Sequence, residues 1–278
     1  MTSEEHTSSN FADRIAAARL QSFVGRAAEL ELFRQALQAD EAPFSVLYLF
    51  GPGGVGKTTL LRTYAQIAAQ HGRAVFRLDA RDVDPSPQGF LLALSAQAGG
   101  GEGWLSLERL ATLPPAVLFL DTYERLVPLD DWLRETFLPA LPAHVLVIIA
   151  GRNPPAEPWR TDPAWRDLAR IVSLRNLRPE ESRQLLTNLG VPLPLQEAVL
   201  DVAYGHPLAL VLLADWLALG ATTAEEISLE HAPDVIRLLV ERFLQDVPTA
   251  RHRQALEACA LARVTTEALL AEVLGEEA

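Results

Sequence analysis

The sequence has almost no cysteine, no long apolar run and no excess of basic residues. Its single cysteine, Cys259, cannot form an internal disulfide or supply a zinc site by itself, and it suits a reducing compartment. We expect Cys259 to be a small buried residue of a helix. No apolar run reaches the length of a membrane span, and residues 1–10 are too polar and acidic for a signal peptide. These absences predict a cytoplasmic protein.

The charge balance also excludes a class of partner. The formal net charge is -12, and an acidic surface repels phosphate backbones, so we predict that this chain alone does not bind nucleic acid directly. Hydrophobic residues make up 49% and charged residues 22%, which is typical of a soluble protein. A length of 278 residues allows one large domain or two smaller ones.

One glycine-rich stretch carries the most specific signal in the chain. It fits the pattern G-x-x-x-x-G-K-[ST] and lies between an apolar strand, Phe44 to Phe50, and a helix with an apolar face. The stretch consists of Gly51, Pro52, Gly53, Gly54, Val55, Gly56, Lys57, Thr58 and Thr59. The alternative, a glycine turn that happens to carry Lys and Thr, explains the residues but not their position between strand and helix.

Such a stretch holds a phosphate chain for physical reasons. Glycines allow backbone conformations that point several N–H groups inward, and the helix N-terminus adds partial positive charge. Lys57 can reach the β- and γ-phosphates, and the Thr58 hydroxyl can bind Mg²⁺. The stretch, Gly51 to Thr59, is therefore a P-loop, and it predicts a nucleoside-triphosphate site.

A second apolar strand, Ala116 to Leu120, ends in Asp121. Downstream of a P-loop this is the Walker B pattern, in which a buried strand delivers a carboxylate to Mg²⁺. Glu124 can polarise the attacking water. The alternatives are that Asp121 is a turn former at a strand end and that Glu124 is a surface acid.

Further strands complete a sheet. His144 to Ala150 is followed by Arg152, which either reports on the γ-phosphate or is an exposed loop arginine. Ala74 to Leu78 and Arg170 to Leu174 are the other predicted strands. We predict an α/β fold with five parallel strands, in which the strand before Arg152 lies beside the P-loop strand.

Beyond Leu177 only helices are predicted. Pro207 follows Gly205 and His206 and stands at the first position of a helix, where proline is a common capping feature. The predicted helices are Pro179 to Leu189, Leu195 to Tyr204, Pro207 to Leu219, Asp234 to Gln245, Ala250 to Ala262 and Thr265 to Leu274.

A short motif precedes the P-loop strand. Phe23, Val24, Gly25 and Arg26 come before a predicted helix with Leu30, Phe33 and Leu37 on one face. Arg26 is either a solvated surface residue or, because of its position, part of the nucleotide site.

Taken in order, these motifs resemble the STAND class of P-loop ATPases. The chain is similar to NB-ARC and NACHT modules within the AAA+-like proteins, and above all to the ATPase module of bacterial LuxR-type ATP-dependent transcriptional regulators. The resemblance extends from Gln21 to the C-terminus. It rests on the pairing of Val24-Gly25-Arg26 with Gly205-His206-Pro207 in addition to the Walker motifs.

The resemblance implies a role for each matching residue. Val24 and Arg26 lie near the adenine, Pro207 closes the base pocket with His206 beside it, and Arg152 is the sensor I residue. Lys57, Thr58 and Thr59 hold phosphates and Mg²⁺ of ATP or ADP. In general AAA+ enzymes a glutamate follows the Walker B aspartate, whereas this chain has Thr122, which predicts slow hydrolysis.

The resemblance also implies an organisation and two alternative functions. It divides the chain into an N-terminal arm (1–20), a P-loop domain (21–176), a helical domain (177–230) and the start of a winged-helix-like domain (231–278). The first function is a nucleotide-operated switch within a larger regulator that has C-terminal sensor or effector domains and assembles with itself. The second is a turnover ATPase of the AAA+ type that works as an oligomer.

Overall fold

The computed structural model describes residues 11–39, 41–97, 113–218 and 249–261, together with the single positions Thr266, Leu269, Ala271, Leu274 and Gly275. The predicted helix Asp234 to Gln245 and the predicted boundary at residue 230 lie outside the described residues, as does most of the predicted helix Thr265 to Leu274. Among the described helices, none combines the length and the apolar composition needed to cross a membrane.

The centre of the fold is a parallel sheet of five strands, as predicted. The strands are β1 (Val46–Phe50), β2 (Ala74–Asp79), β3 (Ala116–Asp121), β4 (Leu146–Gly151) and β5 (Ala169–Ser173). Their order across the sheet is β2-β3-β4-β1-β5, so the strand before Arg152 lies directly beside the P-loop strand. This arrangement brings the carboxyl ends of β1, β3 and β4 together at one edge, where open α/β sheets bind ligands.

Both faces of the sheet are covered, which explains why its strands are apolar throughout. On β1, Val46 and Tyr48 point into one cluster of buried side chains, while Leu47 and Leu49 point into the other. This alternation is the period-two pattern of a strand, and burial on both faces is typical of parallel sheets.

The helices of the sheet region lie on its two sides. Phe33 of the second helix and Tyr64 of the third stack with ring centroids 4.2 Å apart in the cluster around Leu47, and the first helix contacts the third. Phe90 of the fourth helix and Trp159 and Trp165 of two short helices belong to the cluster around Tyr48. The helices are α1 (Phe11–Ser22), α2 (Ala27–Gln38), α3 (Lys57–Gln70), α4 (Pro87–Gln97), α5 (Asp130–Trp132), α6 (Pro158–Thr161) and α7 (Pro163–Leu168).

Three helices after the sheet form a core of their own. They are α8 (Pro179–Asn188), α9 (Leu193–Ala203) and α10 (Pro207–Ala218), and their buried residues make a third cluster that includes Leu186, Val199 and Leu210. Pro179 and Pro207 each begin a helix, where the missing N–H of proline costs no hydrogen bond. The last of the continuous described helices is α11 (Ala250–Leu261), in which Cys259 is only partly buried, so the prediction of a buried cysteine is wrong.

Candidate nucleotide site

The P-loop has the backbone that phosphate binding requires. Gly54 and Gly56 have φ of 75° and 97°, in the left-handed region that disfavours residues with a Cβ, and α3 starts at Lys57. A Cβ on Gly51 would lie 2.6 Å from the carbonyl oxygen of Leu174, so glycine is needed there for close packing. The loop therefore presents backbone N–H groups at the start of a fourteen-residue helix, and its residues fit a phosphate chain.

Lys57 lies across this loop. Its Nζ donates hydrogen bonds to the carbonyl oxygens of Gly51, at 2.7 Å, and Pro52, at 2.9 Å. Thr58 is partly buried at the same helix start, and Asp121 is partly buried at the end of β3. Within the described ranges, no group of three or more His, Cys, Asp or Glu side chains is arranged to hold a metal. Mg²⁺ at Thr58 and Asp121 would therefore depend on nucleotide phosphates as further ligands, which is how Mg²⁺ commonly binds.

Thr122 has a contact that the sequence did not predict. It adopts a left-handed conformation with φ 59°, its N–H donates to Asp121 Oδ1 at 2.9 Å, and its hydroxyl donates to Asp79 Oδ1 at 3.1 Å. Asp79 pairs in register with Asp121 across β2 and β3. Hydrogen bonds from the Arg81 side chain, opposed in part by burial, lower the pKa of Asp79. An ionised Asp79 thus anchors Thr122 at the position where general AAA+ enzymes have a glutamate.

Glu124 and Arg152 form a pair at the ends of neighbouring strands. Arg152 Nε lies 3.0 Å from Glu124 Oε1, and the backbone N–H of Arg152 donates to Glu124 Oε2 at 3.2 Å. The side chain of Glu124 is 22% exposed and that of Arg152 is 30% exposed. Both side chains are thus partly buried and paired with each other at the ends of β3 and β4, and their roles toward water and the γ-phosphate stay predictions.

The segment Gly205 to Leu208 contacts the P-loop directly. His206 Nε2 lies 3.0 Å from the carbonyl oxygen of Gly53, and the backbone N–H of Ala209 donates to His206 Nδ1 at 3.4 Å. Burial lowers the pKa of His206, and the hydrogen bond to Gly53 opposes this shift. A neutral imidazole with its proton on Nε2 satisfies both contacts. The helical region thus rests on the loop that is predicted to hold phosphates.

Arg26 is buried, so the interpretation of it as a solvated surface residue is wrong. It is only 9% exposed, and it has a left-handed backbone with φ 62° at the start of α2. One guanidinium nitrogen donates to the carbonyl oxygens of Val55, at 2.9 Å, and Arg175, at 2.6 Å. Arg26 therefore joins the P-loop to the segment that leads into the helical region. Val24 is partly buried two positions earlier, and the predicted adenine contact of both residues stays a prediction.

Residues with a rare backbone conformation lie in or beside three of the segments described above. The non-glycine residues with positive φ in the described part of the chain are Arg26, Thr122 and Tyr204. Each is next to or within a segment that the sequence singled out: the Val-Gly-Arg motif, the end of the Walker B strand, and the Gly-His-Pro segment. Residues are held in this rare region only where surrounding contacts determine them, and such residues concentrate at functional sites.

Comparison with protein families gives one match over most of the chain. The family described as the AAA ATPase domain matches residues 22–276. Two curated relatives are also similar. A probable ATPase of Lysobacter enzymogenes is 26% identical over 330 aligned positions, which cover 86% of this chain and 31% of that protein. A subunit of the Holliday junction branch migration complex, RuvB of Rhodospirillum centenum, is 31% identical over 182 positions, which cover 64% of this chain and 43% of that protein. The chain thus spans less than half the length of either relative.

Solved structures agree on the fold. RuvB of Thermotoga maritima superposes with a TM-score of 0.54 at 18% identity, over 93% of this chain and 84% of that one. The replication initiator DnaA bound to AMPPCP and single-stranded DNA gives a TM-score of 0.52 at 14% identity, over 93% and 86%. The Orc1 protein of Aeropyrum pernix in complex with DNA gives 0.52 at 16%, over 93% and 76%. At these identities the similarity establishes the fold alone.

Proposed function

Because the chain belongs to the AAA ATPase domain family, we propose that it is a nucleotide-operated switch of the STAND type, in which the sheet and helical regions close around ADP and reorient when ATP replaces it. A ligand shifts such an equilibrium only by its different affinity for the two states. The γ-phosphate supplies that difference, and Arg152 and Pro207 are the residues whose contacts change. In this proposal, signal transduction and transcription regulation follow from the reorientation.

Each part of the site has a role in this proposal. Lys57, Thr58, Thr59 and the P-loop N–H groups hold the phosphates, while Val24, Arg26 and Pro207 surround the adenine. Thr58 and Asp121 would hold Mg²⁺, which offsets phosphate charge when it is bound with the nucleotide. Glu124 polarises the attacking water, and Arg152 responds to the γ-phosphate.

The observation that carries the proposal is the contact between His206 and Gly53. His206 Nε2 lies 3.0 Å from the Gly53 oxygen, and a Cβ on Gly54 would lie 2.9 Å from Leu208 Cβ. In this proposal, a change in the P-loop on nucleotide exchange reaches the start of α10 directly through this contact. This is the coupling that a switch needs and that a simple nucleotide-binding domain does not.

The surroundings of Asp121 favour slow hydrolysis. Thr122 carries no carboxylate and is hydrogen-bonded to Asp79, so it cannot act as a base. The remaining candidate, Glu124, is paired with Arg152. Turnover then requires the ion pair between Arg152 and Glu124 to open, so that Glu124 can contact water. Hydrolysis would thus depend on how Arg152 responds to the γ-phosphate.

The first test identifies the nucleotide that the protein retains. Freshly purified protein is denatured, and the released nucleotide is separated by anion-exchange chromatography. Near-stoichiometric ADP supports a closed, slowly exchanging switch, whereas an empty protein argues for the turnover alternative. In Lys57→Ala we expect no bound nucleotide, and in Arg62→Ala, which removes an exposed cation from the same helix, we expect the wild-type amount. Unchanged ATP affinity in Lys57→Ala would contradict the assignment of the P-loop as the nucleotide site.

Lys57 also allows a direct measurement, because it is the only lysine in the chain. An amine-reactive reagent has Lys57 and the chain's α-amino group as its amine targets. Peptide mapping should show that saturating ADP protects Lys57 while modification of the α-amino group continues. Equal modification of Lys57 with and without ADP contradicts its proposed place on the phosphates.

Pro207→Ala tests whether the helical region takes part in binding. We expect ADP affinity to fall while the free energy of unfolding changes little, because alanine is tolerated at a first helical position. The matched control is Pro179→Ala, since Pro179 also begins a helix. Equal ADP affinity in the Pro207 variant removes Pro207 from the pocket.

The alternative function is a turnover ATPase that works as an oligomer. The similarity in fold to the Thermotoga maritima RuvB motor favours it, at a TM-score of 0.51. In that case steady-state turnover per protomer rises with protein concentration, because a neighbour completes the site. Turnover that is constant per protomer over a wide concentration range supports the switch instead.

Location and partners belong to the same proposal. The short share of each relative that this chain covers agrees with a regulator whose sensor or effector domains lie elsewhere in a longer protein. We propose nucleotide-dependent self-assembly in the cytoplasm. We also retain the prediction that this acidic chain does not bind nucleic acid alone, which a binding assay at low salt tests most stringently.

A further inference from the structure

A buried carboxylate lies behind the Glu124–Arg152 pair. Asp130 is 8% exposed, and its Oδ1 accepts hydrogen bonds from Tyr123 Oη at 2.7 Å and from Trp159 Nε1 at 2.9 Å. Its Oδ2 accepts from Arg134 Nε at 3.1 Å. Each of these three donors is itself at least nine-tenths buried. A buried charge that is paired and fully hydrogen-bonded holds its partners in one arrangement, because each lost bond leaves an unsatisfied group.

The three donors come from two segments of the chain: Tyr123 and Arg134 follow β3, whereas Trp159 follows β4. Tyr123 directly precedes Glu124, and Trp159 lies in α6, at the end of the loop that begins with Arg152. Tyr48 of the P-loop strand packs edge-on against both rings, with centroid distances of 5.6 Å to Tyr123 and 6.0 Å to Trp159. Asp130 thus ties the segment after β3 to the segment after β4, and the Tyr48 ring of β1 packs against both.

This arrangement leaves little room for independent movement of Glu124. A Cβ on Gly151 would lie 3.3 Å from Tyr123 Cβ and 3.5 Å from Glu124 Oε2. The end of β4 therefore packs directly against Tyr123 and Glu124. Because Tyr123 and Glu124 are consecutive, a displacement of Tyr123 would also displace the backbone that carries Glu124.

We propose that Asp130 is a positioning residue, which sets where the Glu124–Arg152 pair lies by holding Tyr123 and Trp159, and which thereby controls the rate of ATP hydrolysis without touching the nucleotide. This inference rests on the role proposed above for Glu124 in hydrolysis. It assigns no part in nucleotide affinity to Asp130, because the donors to its carboxylate, Tyr123, Arg134 and Trp159, lie in the segments that follow β3 and β4.

The test removes one hydrogen bond at a time. Tyr123→Phe deletes the hydroxyl that Asp130 accepts but keeps the ring and its packing. We expect kcat for ATP hydrolysis, from single-turnover experiments where steady-state rates are low, to fall about tenfold, since small misplacements of catalytic groups are costly. KM and ADP affinity should stay at wild-type values. Asp130→Asn places an amide donor against Arg134 Nε, and we expect the same loss of kcat.

A matched control separates positioning from general loss of stability. Tyr64 is fully buried in α3, and its hydroxyl donates to the carbonyl oxygen of Glu29 at 2.7 Å. Tyr64→Phe therefore loses a buried hydrogen bond of similar length away from Glu124. We expect its melting temperature to fall as far as that of Tyr123→Phe, with kcat unchanged.

The Glu124→Gln background decides whether the effect passes through Glu124. There we expect Tyr123→Phe to have no further effect on kcat, because residues that act as a unit are not additive. An equal loss in both backgrounds, or wild-type kcat in a folded Asp130→Asn variant, overturns the inference. If Glu124→Gln itself keeps wild-type kcat while ADP still binds, the role of Glu124 fails and the inference falls with it. Loss of kcat in Glu124→Gln without loss in Tyr123→Phe refutes the inference alone.

Discussion

His206 and Gly53 join the helical region to the P-loop through a hydrogen bond of 3.0 Å between the imidazole Nε2 and the glycine carbonyl oxygen. The two residues are far apart in the sequence, and they belong to the P-loop and to the Gly205-His206-Pro207 motif. The contact places a titratable side chain on the P-loop. Because this side chain titrates, closure of the site can be tested through its dependence on pH.

Closure should depend on pH through His206. Burial lowers the pKa of His206 in the structure, which we propose to be the closed state. This state should bind the proton less readily than an open state with the ordinary imidazole pKa of about 6.5. The contribution of this contact to closure is therefore fully present above about pH 6.5. It is lost as the pH falls from there towards the lower pKa of the closed state. A proton on Nδ1 would also face the N–H of Ala209. We expect a fluorescent ADP analogue to dissociate faster as pH is lowered. In His206→Gln, which keeps a donor but does not titrate, this pH dependence should disappear.

Gly54→Ala should separate the two regions. An added Cβ would lie 2.7 Å from His206 Cε1 and 2.9 Å from Leu208 Cβ, closer than Cβ atoms approach in real structures, so His206 and Leu208 at the start of α10 must shift. Backbone strain at φ 75° adds a cost of about 1–3 kcal/mol. We expect ADP to dissociate at least about tenfold faster, since each 1.4 kcal/mol is a factor of ten. Gly72→Ala is the control, because Gly72 has φ 69° and nothing within 4 Å of the added Cβ. ADP dissociation at the wild-type rate in Gly54→Ala would show that closure does not depend on this contact.

Much of the sheet could be predicted because its rules are local or topological. The apolar runs gave the five strands to within two residues at each end, and the P-loop fixed which strand leads into α3. We expected β4 beside β1 because the predicted role of Arg152 requires that strand end next to the P-loop, and this strand order is confirmed. Pro207 could be placed at a helix start because its ring geometry is the same in every protein.

The tertiary contacts of polar residues could not be predicted. Asp130 has no motif around it, and only its spacing to Arg134, one helical turn on, hinted at a pair. Arg26 bonds to carbonyl oxygens of Val55 and Arg175, which no side-chain pattern can reveal. The sequence shows that Thr122 stands where general AAA+ enzymes have a glutamate. Its hydrogen bond to Asp79, however, depends on the register of two strands.

Arg26 should stabilise the fold as well as the site. Arg26→Met keeps most of the apolar stem but removes the donors to Val55 and Arg175, which leaves a buried carbonyl unsatisfied. We expect the free energy of unfolding in urea to fall by about 2 kcal/mol, within the range for such groups. Arg183→Met removes an arginine of an exposed pair with Glu197 and should leave that free energy unchanged. Equal stability of the two variants contradicts a structural role for the Arg26 guanidinium.

Glu124 should affect turnover but not affinity. Glu124→Gln keeps the size of the side chain and its acceptor for the Arg152 N–H but removes the charge that polarises water. We expect kcat for ATP hydrolysis to fall by about 10²-fold, a typical contribution of a general base, while ADP affinity stays at the wild-type value. Glu197→Gln changes the exposed pair of Glu197 with Arg183, which joins α9 to α8 away from the P-loop, and it should leave both quantities unchanged. If ADP affinity falls in Glu124→Gln as far as kcat does, the pair with Arg152 supports the pocket rather than the reaction. The residue that activates water must then be sought in a neighbouring protomer, as the oligomeric alternative requires.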